Sequence, residues 1–221
     1  MTPYALIGPL AARQEFLKGS NAPEPDYQGE LPPPRHDIEE YSLIIDLGLD
    51  ESPERLSLYA HRPGQIVLAS AVKYALHEIA YQQGIPIKGA FLGLNALPTF
   101  LDRPVWELSL YDEAYVQQAQ EVAAFLGVEI QIVPDQVGMV TPRTIFMVIN
   151  EAYQVIQEGT ATEADIDLAM KLGTNYPRGP IAWSREIGLP HIVETIDRLR
   201  EYTGESRYKV APLLRRMMML E

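Results

Sequence analysis

The sequence contains no cysteine, which excludes disulfides, thiolate metal sites and cysteine nucleophiles and suits a reducing cytosol. Basic residues are also scarce, because 18 lysines and arginines stand against 30 acids and give a formal net charge of −12. This acidic balance argues against nucleic acid or an anionic membrane as a partner. No hydrophobic run reaches the length of a membrane span, and the N-terminus lacks a targeting pattern. We therefore predict a soluble, cytoplasmic protein.

A hydrophobic content of 47% is enough to build a core, and 221 residues suit one large or two small domains. Short apolar runs alternate with helical patterns in the first part of the chain. Strands are predicted at residues 4–7, 42–47, 65–69, 88–93, 105–110 and 129–133, with helices at 10–18, 72–82 and 113–126 and a proline-rich loop at 20–35. This alternation favours an open, mostly parallel α/β sheet, which places ligands at the carboxyl ends of its strands.

Beyond residue 134 the pattern becomes purely helical. A first helix is predicted to end at Gly159, and Thr162 and Asp165 then stand at the spacing of a capping box that begins a second helix. Further helices are predicted at 181–187, 191–202 and 212–220. We therefore predict an α/β domain at residues 1–136 and a helical domain at 137–221.

A spaced series of motifs in the helical part is the most specific feature of the chain. It comprises Asn150-Glu151-Ala152, Asp165 to Gly173, Tyr176-Pro177-Arg178-Gly179-Pro180 and Ile187-Gly188-Leu189. This series resembles the helical C-terminal domain of the 3-hydroxyacyl-CoA dehydrogenases, and a weaker likeness extends over residues 41–135. The resemblance implies a shortened Rossmann-like parallel sheet followed by an all-helical domain of the 6-phosphogluconate dehydrogenase C-terminal type. It also implies an acyl-CoA cleft and a homodimer formed through the helical domain.

The expected dinucleotide turn departs from the family pattern. Such a turn needs several glycines, so that the backbone can approach a pyrophosphate at a helix N-terminus. Gly8 is the one glycine present, and Pro9 after it removes an amide donor. An acidic residue for the ribose is expected about 20 positions further on. Asp26 stands nearby, but within the predicted loop. We therefore expect no cofactor, with Gly8 as the cofactor-binding candidate if NAD binds.

The catalytic residues implied by the resemblance are also altered. Counting back from Glu107, the position of the family's catalytic histidine falls on Asn95, and residues 90–105 contain no histidine. The family's Ser-Asn-Thr-Ser turn becomes Ser70-Ala71-Val72-Lys73, and its Val-Asn-Arg becomes Thr141-Pro142-Arg143. The resemblance therefore leaves Glu107 as the catalytic candidate, and Ser70, Asn95 and Arg143 as substrate-binding candidates.

Each candidate also has an ordinary structural interpretation. Glu107 can pair with a nearby base at a strand end, Ser70 can end a strand or cap a helix, Asn95 can shape a turn and Arg143 can anchor a corner between domains. Lys73 is expected to be an exposed helix lysine, and a new contact to a phosphate is the alternative. The four histidines do not stand at metal-ligand spacing, so no metal site is predicted.

Three functions follow as alternatives. The first is a relative that has lost NAD-dependent dehydrogenase catalysis and keeps an acyl-CoA-type cleft and a dimer scaffold. The second is an active NAD-dependent 3-hydroxyacyl-CoA oxidoreductase of fatty-acid metabolism with an altered site, in which His36 or His61 supplies the base. The third is a pure interaction protein. Whether the chain is an enzyme stays open at this point.

Overall fold

The computed structural model describes residues 3–59 and 63–220, without the side chains of residues 35 and 36. The chain divides into two compact units, residues 1–139 and 140–221. The first unit is built around a seven-stranded sheet in the described part of the chain, and the second is helical. The prediction of a mostly parallel α/β sheet followed by a helical domain is confirmed. Within the described residues, no helix is both long and apolar enough to cross a membrane.

The strands follow one another across the sheet in the order β2-β1-β3-β4-β5-β6-β7. Their bounds are Tyr4–Ile7 (β1), Tyr27–Gly29 (β2), Leu43–Asp46 (β3), Ile66–Ser70 (β4), Ala90–Leu94 (β5), Val105–Leu110 (β6) and Glu129–Val133 (β7). Neighbouring strands are parallel except for β5 and β6. In the common dinucleotide-binding order two strands lie outside the first strand, whereas among the strands described here only β2 does, as expected for a shortened sheet.

The core of the first unit lies on both faces of this sheet, because successive strand residues point to opposite sides. Tyr4 and Leu6 of β1 join one apolar cluster, and Ala5 and Ile7 join the other. Helices cover these faces, with bounds Leu10–Gly19 (α1), Arg35–Ile38 (α2), Leu56–Tyr59 (α3), Leu76–Gln83 (α4) and Val116–Leu126 (α5). The short helices α2 and α3 were not predicted, since four residues are too few to show a helical period.

The prediction of a continuous loop at residues 20–35 is wrong, because β2 lies within it. The strand pairs in parallel with β1, and Asp26 just before it exchanges two hydrogen bonds with Tyr4: Asp26 donates its N–H to the Tyr4 carbonyl at 3.1 Å and accepts the Tyr4 N–H at 2.9 Å. Three residues between prolines carry no period of their own. Pairing with the edge of β1 supplies the hydrogen bonds that make this segment a strand.

The second unit consists of Thr141–Gln157 (α6), Glu163–Gly173 (α7), Pro180–Ile187 (α8), Leu189–Thr203 (α9) and Pro212–Met218 (α10) in its described residues. The predicted capping box is confirmed at the start of α7, where the Thr162 hydroxyl accepts the Asp165 N–H and the Asp165 carboxylate accepts the Thr162 N–H. Asn150 on α6 donates to the Lys209 carbonyl at 3.0 Å and accepts the Ala211 N–H at 2.7 Å. These motif residues therefore hold helix ends and connections in place.

Gly179 has a steric reason to be a glycine. Asp167 on α7 accepts the backbone N–H groups of Ile181 and Ala182 at 2.8 and 3.0 Å, and so caps the start of α8. A Cβ atom at position 179 would lie 2.2 Å from Cγ and 2.4 Å from Cβ of Asp167. The glycine is thus required for the approach of the capping carboxylate.

We expect Gly179→Ala to lower the free energy of unfolding by about 1–3 kcal/mol, because the added methyl group must displace the Asp167 cap. Chemical denaturation monitored by circular dichroism measures the change. Gly173→Ala is the matched control, since a Cβ there meets nothing within 4 Å and should leave stability unchanged or slightly raised. Equal stability of the two variants would contradict the steric role of Gly179.

Candidate functional site

The carboxyl ends of β1, β3, β4 and β5 meet at one edge of the sheet, because these strands are parallel. Ser70 ends β4, opposite Leu94 in β5, and Asn95 follows Leu94 directly. Glu107 lies on the antiparallel strand β6 beside Asn95, whose N–H donates to the Glu107 carbonyl at 3.1 Å. Four of the candidate residues, Gly8, Ser70, Asn95 and Glu107, therefore share the edge at which open α/β sheets bind ligands.

The turn between β1 and α1 is shaped by close packing. Gly8 has φ +134°, and a Cβ there would lie 3.0 Å from the Leu47 Cβ. Its N–H donates to the Gly29 carbonyl at 3.0 Å, and its carbonyl accepts from the Arg13 Nε at 2.9 Å. Pro9 then precedes α1 and offers no N–H. The glycine thus has a structural role, and the Arg13 guanidinium lies at the helix start that a pyrophosphate would approach.

Asp26 lies at the wrong end of β2 to serve a ligand at this edge. It precedes the strand and pairs with Tyr4, whereas Gly29 ends the strand opposite Ile7. The two ends are separated by about 10 Å along the strand. Glu30 follows Gly29 directly and is exposed. Because Gly8 donates to the Gly29 carbonyl, Glu30 replaces Asp26 as the acid beside the β1 turn.

Asp46, at the end of β3, is fully buried. Its carboxylate accepts the Gly48 N–H and the Tyr59 hydroxyl, both at 2.8 Å, and lies 3.5 Å from the Arg55 guanidinium. Burial raises the pKa of Asp46, and these donors oppose the shift. The Asp46 carboxylate thus holds the turn that follows β3.

A second buried acid, Asp50, organises the turn after β4. It accepts the Ser70 hydroxyl at 2.6 Å, the Val72 N–H at 2.8 Å and the Lys73 N–H at 2.9 Å. Burial raises the pKa of this carboxyl group, and the donated hydrogen bonds oppose the shift. The hydrogen of the Ser70 hydroxyl is therefore directed at Asp50. The prediction that Lys73 is exposed is wrong: it is 3% exposed and its ammonium group pairs with Glu51.

Asn95, which follows β5, forms a pair with Glu107, which lies within β6. The Asn95 side-chain nitrogen donates to a Glu107 carboxylate oxygen at 3.4 Å. Asn95 is 3% exposed, and its side-chain oxygen is buried without a hydrogen-bond partner among the described residues. The resemblance assigned Asn95 and Glu107 to one site, and the structure shows the amide of Asn95 in contact with the carboxylate of Glu107.

The segment 96–104, which connects this pair, is braced by Glu15 of α1. The Glu15 carboxylate accepts the backbone N–H groups of Thr99, Leu101 and Asp102 at 3.0, 2.9 and 3.2 Å. Thr99 has φ +75°, a conformation that β-branched residues rarely adopt. The indole of Trp106 donates to the Leu101 carbonyl at 3.0 Å. The carboxylate thus fixes a strained connection beside Asn95.

Arg143 lies on α6 in the second unit, with its guanidinium 5.8 Å from the centroid of the Tyr208 ring. Pro142 beside it is buried at the start of the same helix. The predicted site role of Arg143 stays a prediction.

The structure does not test whether His36 or His61 replaces a missing base. His61 and the side chain of His36 lie outside the described residues. His77 on α4 bonds through Nδ1 to the Asp135 carboxylate at 2.7 Å and stacks on Tyr111, with ring centroids 4.5 Å apart. Asp135 also accepts the N–H groups of Leu76 and His77. This histidine therefore helps to begin α4.

Sequence reasoning missed Asp50 and Glu30 as members of this edge, and it wrongly predicted that Lys73 is exposed. Asp50 and Glu30 stand in irregular segments, where no period predicts which acids become buried or lie at a strand end. Glu30 follows Gly8 by 22 positions, which is the spacing expected of the ribose-binding acid. That signal was available, but the missing assignment of β2 concealed it.

Residues 138–221 match the model of the 3-hydroxyacyl-CoA dehydrogenase C-terminal domain. A probable 3-hydroxybutyryl-CoA dehydrogenase of Deinococcus radiodurans is 37% identical over 190 residues, covering 82% of this chain and 68% of that protein. The 3-hydroxyadipyl-CoA dehydrogenase of Escherichia coli K12 is 45% identical over 89 residues, covering 40% of this chain. The matched stretch spans 19% of that relative's length.

A solved structure supports the same fold across the whole chain. The (S)-3-hydroxybutyryl-CoA dehydrogenase of Ralstonia eutropha superposes with a TM-score of 0.77 at 17% identity. The match covers 100% of this chain and 94% of that one.

We expect Glu15→Ala to increase amide hydrogen exchange in residues 96–104 and to lower stability by about 1–3 kcal/mol, because three backbone N–H groups lose their acceptor. Hydrogen exchange with mass spectrometry measures the first effect and thermal unfolding the second. Glu121→Ala is the control, since it removes an exposed contact with Gln117 within α5. Unchanged exchange in residues 96–104 would show that Glu15 does not fix this segment.

Proposed function

Because this chain belongs to the 3-hydroxyacyl-CoA dehydrogenase family, we propose that it is a member that has lost NAD-dependent dehydrogenase catalysis and keeps a site for an acyl-CoA-type ligand. The observation that carries this proposal is the Asn95–Glu107 pair at the carboxyl edge of the sheet. The family pattern requires a histidine held by a glutamate, and here the glutamate is in contact with an amide. The chain matches only part of the length of these relatives, 19% in the Escherichia coli protein. The activity of this chain is therefore a proposal.

An amide cannot replace the imidazole in the chemical step. Oxidation of a 3-hydroxyl group requires a base that takes the hydroxyl proton while hydride leaves. An amide has no usable basicity near neutral pH, and loss of a positioned base costs about two to four orders of magnitude in rate. His77 is the histidine of the first unit whose side chain is described, and its Nδ1 is hydrogen-bonded to Asp135. The residues of this edge therefore favour binding over proton transfer.

The turn between β1 and α1 supports the proposal that NAD does not bind in the way usual for the family. A pyrophosphate in that mode accepts hydrogen bonds from N–H groups at the start of the first helix. Pro9 removes one such donor, and the Gly8 N–H is already directed at the Gly29 carbonyl. When bound, NAD would supply the hydride acceptor, and its absence would leave a ligand without a redox partner.

What the chain retains is a braced edge and an intact helical scaffold. Asp46 and Asp50 hold the turns after β3 and between β4 and α4, and Asp167 and Asn150 hold the helical unit. We propose that residues 1–136 supply the ligand-contacting edge and residues 137–221 the scaffold. The homodimer and the cytoplasmic location stay predictions.

A second candidate function is an active NAD-dependent oxidoreductase, and the position of Glu30 favours it. The carboxylate follows β2 at the place of a ribose-binding acid, and Arg13 beside Gly8 offers a positive charge to a phosphate. A base would then have to come from a residue other than Asn95.

The first proposal predicts that the purified chain does not oxidise NADH with acetoacetyl-CoA above the enzyme-free rate, yet binds the CoA ester in calorimetry. The Deinococcus radiodurans relative is the positive control for turnover. NADH oxidation that disappears in Asn95→Ala would overturn the proposal, because it would place catalysis at this residue. Absence of CoA-ester binding would remove the ligand site.

The second candidate predicts micromolar NADH binding that Glu30→Ala weakens roughly tenfold, since the variant loses a charge-assisted hydrogen bond to the ribose. Calorimetric titration of both proteins measures the effect. Glu24→Ala is the matched control, because Glu24 is an exposed acid before β2. NADH binding that is unchanged in Glu30→Ala would show that the cofactor does not use this edge in the expected mode.

A further inference from the structure

The helical unit carries an apolar groove that the edge of the sheet does not use. This α6–α7 groove has a volume of about 530 Å³ and lies between α6 and α7 beside Pro180. Its walls include four residues of α6 (Thr144, Val148, Glu151 and Val155) and two of α7 (Ile166 and Met170). All of them belong to the unit formed by residues 140–221. The groove is therefore a feature of the helical unit alone.

The lining residues of this groove have the spacing with which helices pack on one another. The four residues of α6 follow at intervals of four, three and four positions, and the two of α7 lie four positions apart. Intervals of three and four place side chains on one side of a helix, and their alternation is the repeat of a coiled-coil seam. A groove between two such rows accepts an amphipathic helix whose apolar residues repeat at the same spacing.

Glu151 is the one charged residue among the described residues that line the groove. It lies on the row of α6 between Val148 and Val155, and its carboxylate forms no hydrogen bond or ion pair within the described part of the chain. A partner that covers the groove removes water from this carboxylate, which is costly unless the partner supplies a cation. A single polar residue on an apolar seam selects a partner helix in this way. The groove therefore favours a helix with a lysine or arginine facing Glu151.

A second copy of this chain does not meet this requirement in the usual two-fold pairing. Such pairing brings the same patch of both copies together. The described residues of this patch include a carboxylate and neither a lysine nor an arginine, so two copies would cover two carboxylates without a cation. The charge of the groove thus distinguishes a basic partner from a second copy.

We propose that the α6–α7 groove binds an amphipathic helix of another protein, with apolar residues at intervals of three and four and a lysine or arginine opposite Glu151. The net charge of −12 adds long-range attraction for a basic segment. The proposal also gives Glu151 a role that the fold does not, since its neighbour Asn150 holds the segment before α10. It goes beyond the proposed function at the sheet, because it requires neither a CoA ester nor NAD.

The test is calorimetric titration of the full chain with two synthetic helical peptides. Both carry leucine at coiled-coil a and d positions, and they differ in a single residue of that seam, which is lysine in one and glutamate in the other. We expect the lysine peptide to bind on the order of tenfold more tightly, because it alone pairs with Glu151. Equal affinities, or no binding of the lysine peptide, would overturn the proposal.

Reversal of a single charge assigns the preference to the groove. Glu151→Lys should make the glutamate peptide the tighter ligand. Glu205→Lys changes the net charge equally at an exposed position outside the groove, and should leave the preference for the lysine peptide in place. An equal effect of both variants would contradict the proposal, because it would show that only the overall charge attracts the peptide.

Self-association through the groove is the competing outcome. Sedimentation velocity compares the chain with Val148→Lys, and circular dichroism confirms that the variant is folded. We expect the two proteins to sediment alike, since no second copy fills the groove. A dimer of the parent chain that Val148→Lys dissociates would assign the groove to a second copy and refute the proposal.

Discussion

The buried carboxylate of Asp50 is the constraint on which the carboxyl edge of the sheet at β4 depends. The chain leaves β4 and must turn toward α4, which exposes the N–H groups of Val72 and Lys73. Asp50 accepts both of them together with the Ser70 hydroxyl. Because every oxygen of this buried acid is used, the turn is fixed in one conformation. The same bonds direct the hydrogen of the Ser70 hydroxyl at Asp50, so the fold competes with the predicted substrate-binding role of Ser70.

In the helical unit, too, polar side chains satisfy backbone groups at two places. Asp167 satisfies the first N–H groups of α8, and Asn150 satisfies both a carbonyl and an N–H in the segment before α10. Unsatisfied backbone groups at helix ends are costly. These polar residues, and Gly179 with them, are therefore required by the fold alone. A motif series that is rich in such residues identifies the fold and says little about chemistry.

The sequence predicted most of the regular elements, because strands and helices of five or more residues carry their own hydrophobic period. Helix α5 and strands β6 and β7 appear within a few residues of their expected bounds. The period is absent from β2, whose three residues are a strand only through pairing with β1. The sequence also did not predict which polar side chains are buried. Lys73 is buried because Glu51 neutralises it, and the two residues lie 22 positions apart, so no local pattern relates them.

The Asn95–Glu107 pair compares directly with the histidine–glutamate pair of the family pattern. In the family pattern, the imidazole donates one hydrogen bond to the glutamate and uses its other nitrogen as the base. An amide can make the first contact, because its nitrogen donates to the carboxylate. It cannot make the second, because its oxygen does not take up a proton near neutral pH. Under the proposed function, the amide keeps a hydrogen-bond partner for the half-buried carboxylate and does not transfer a proton. Binding needs complementary donors and acceptors, whereas catalysis also needs a positioned base, and the proposed function requires only the first of this pair.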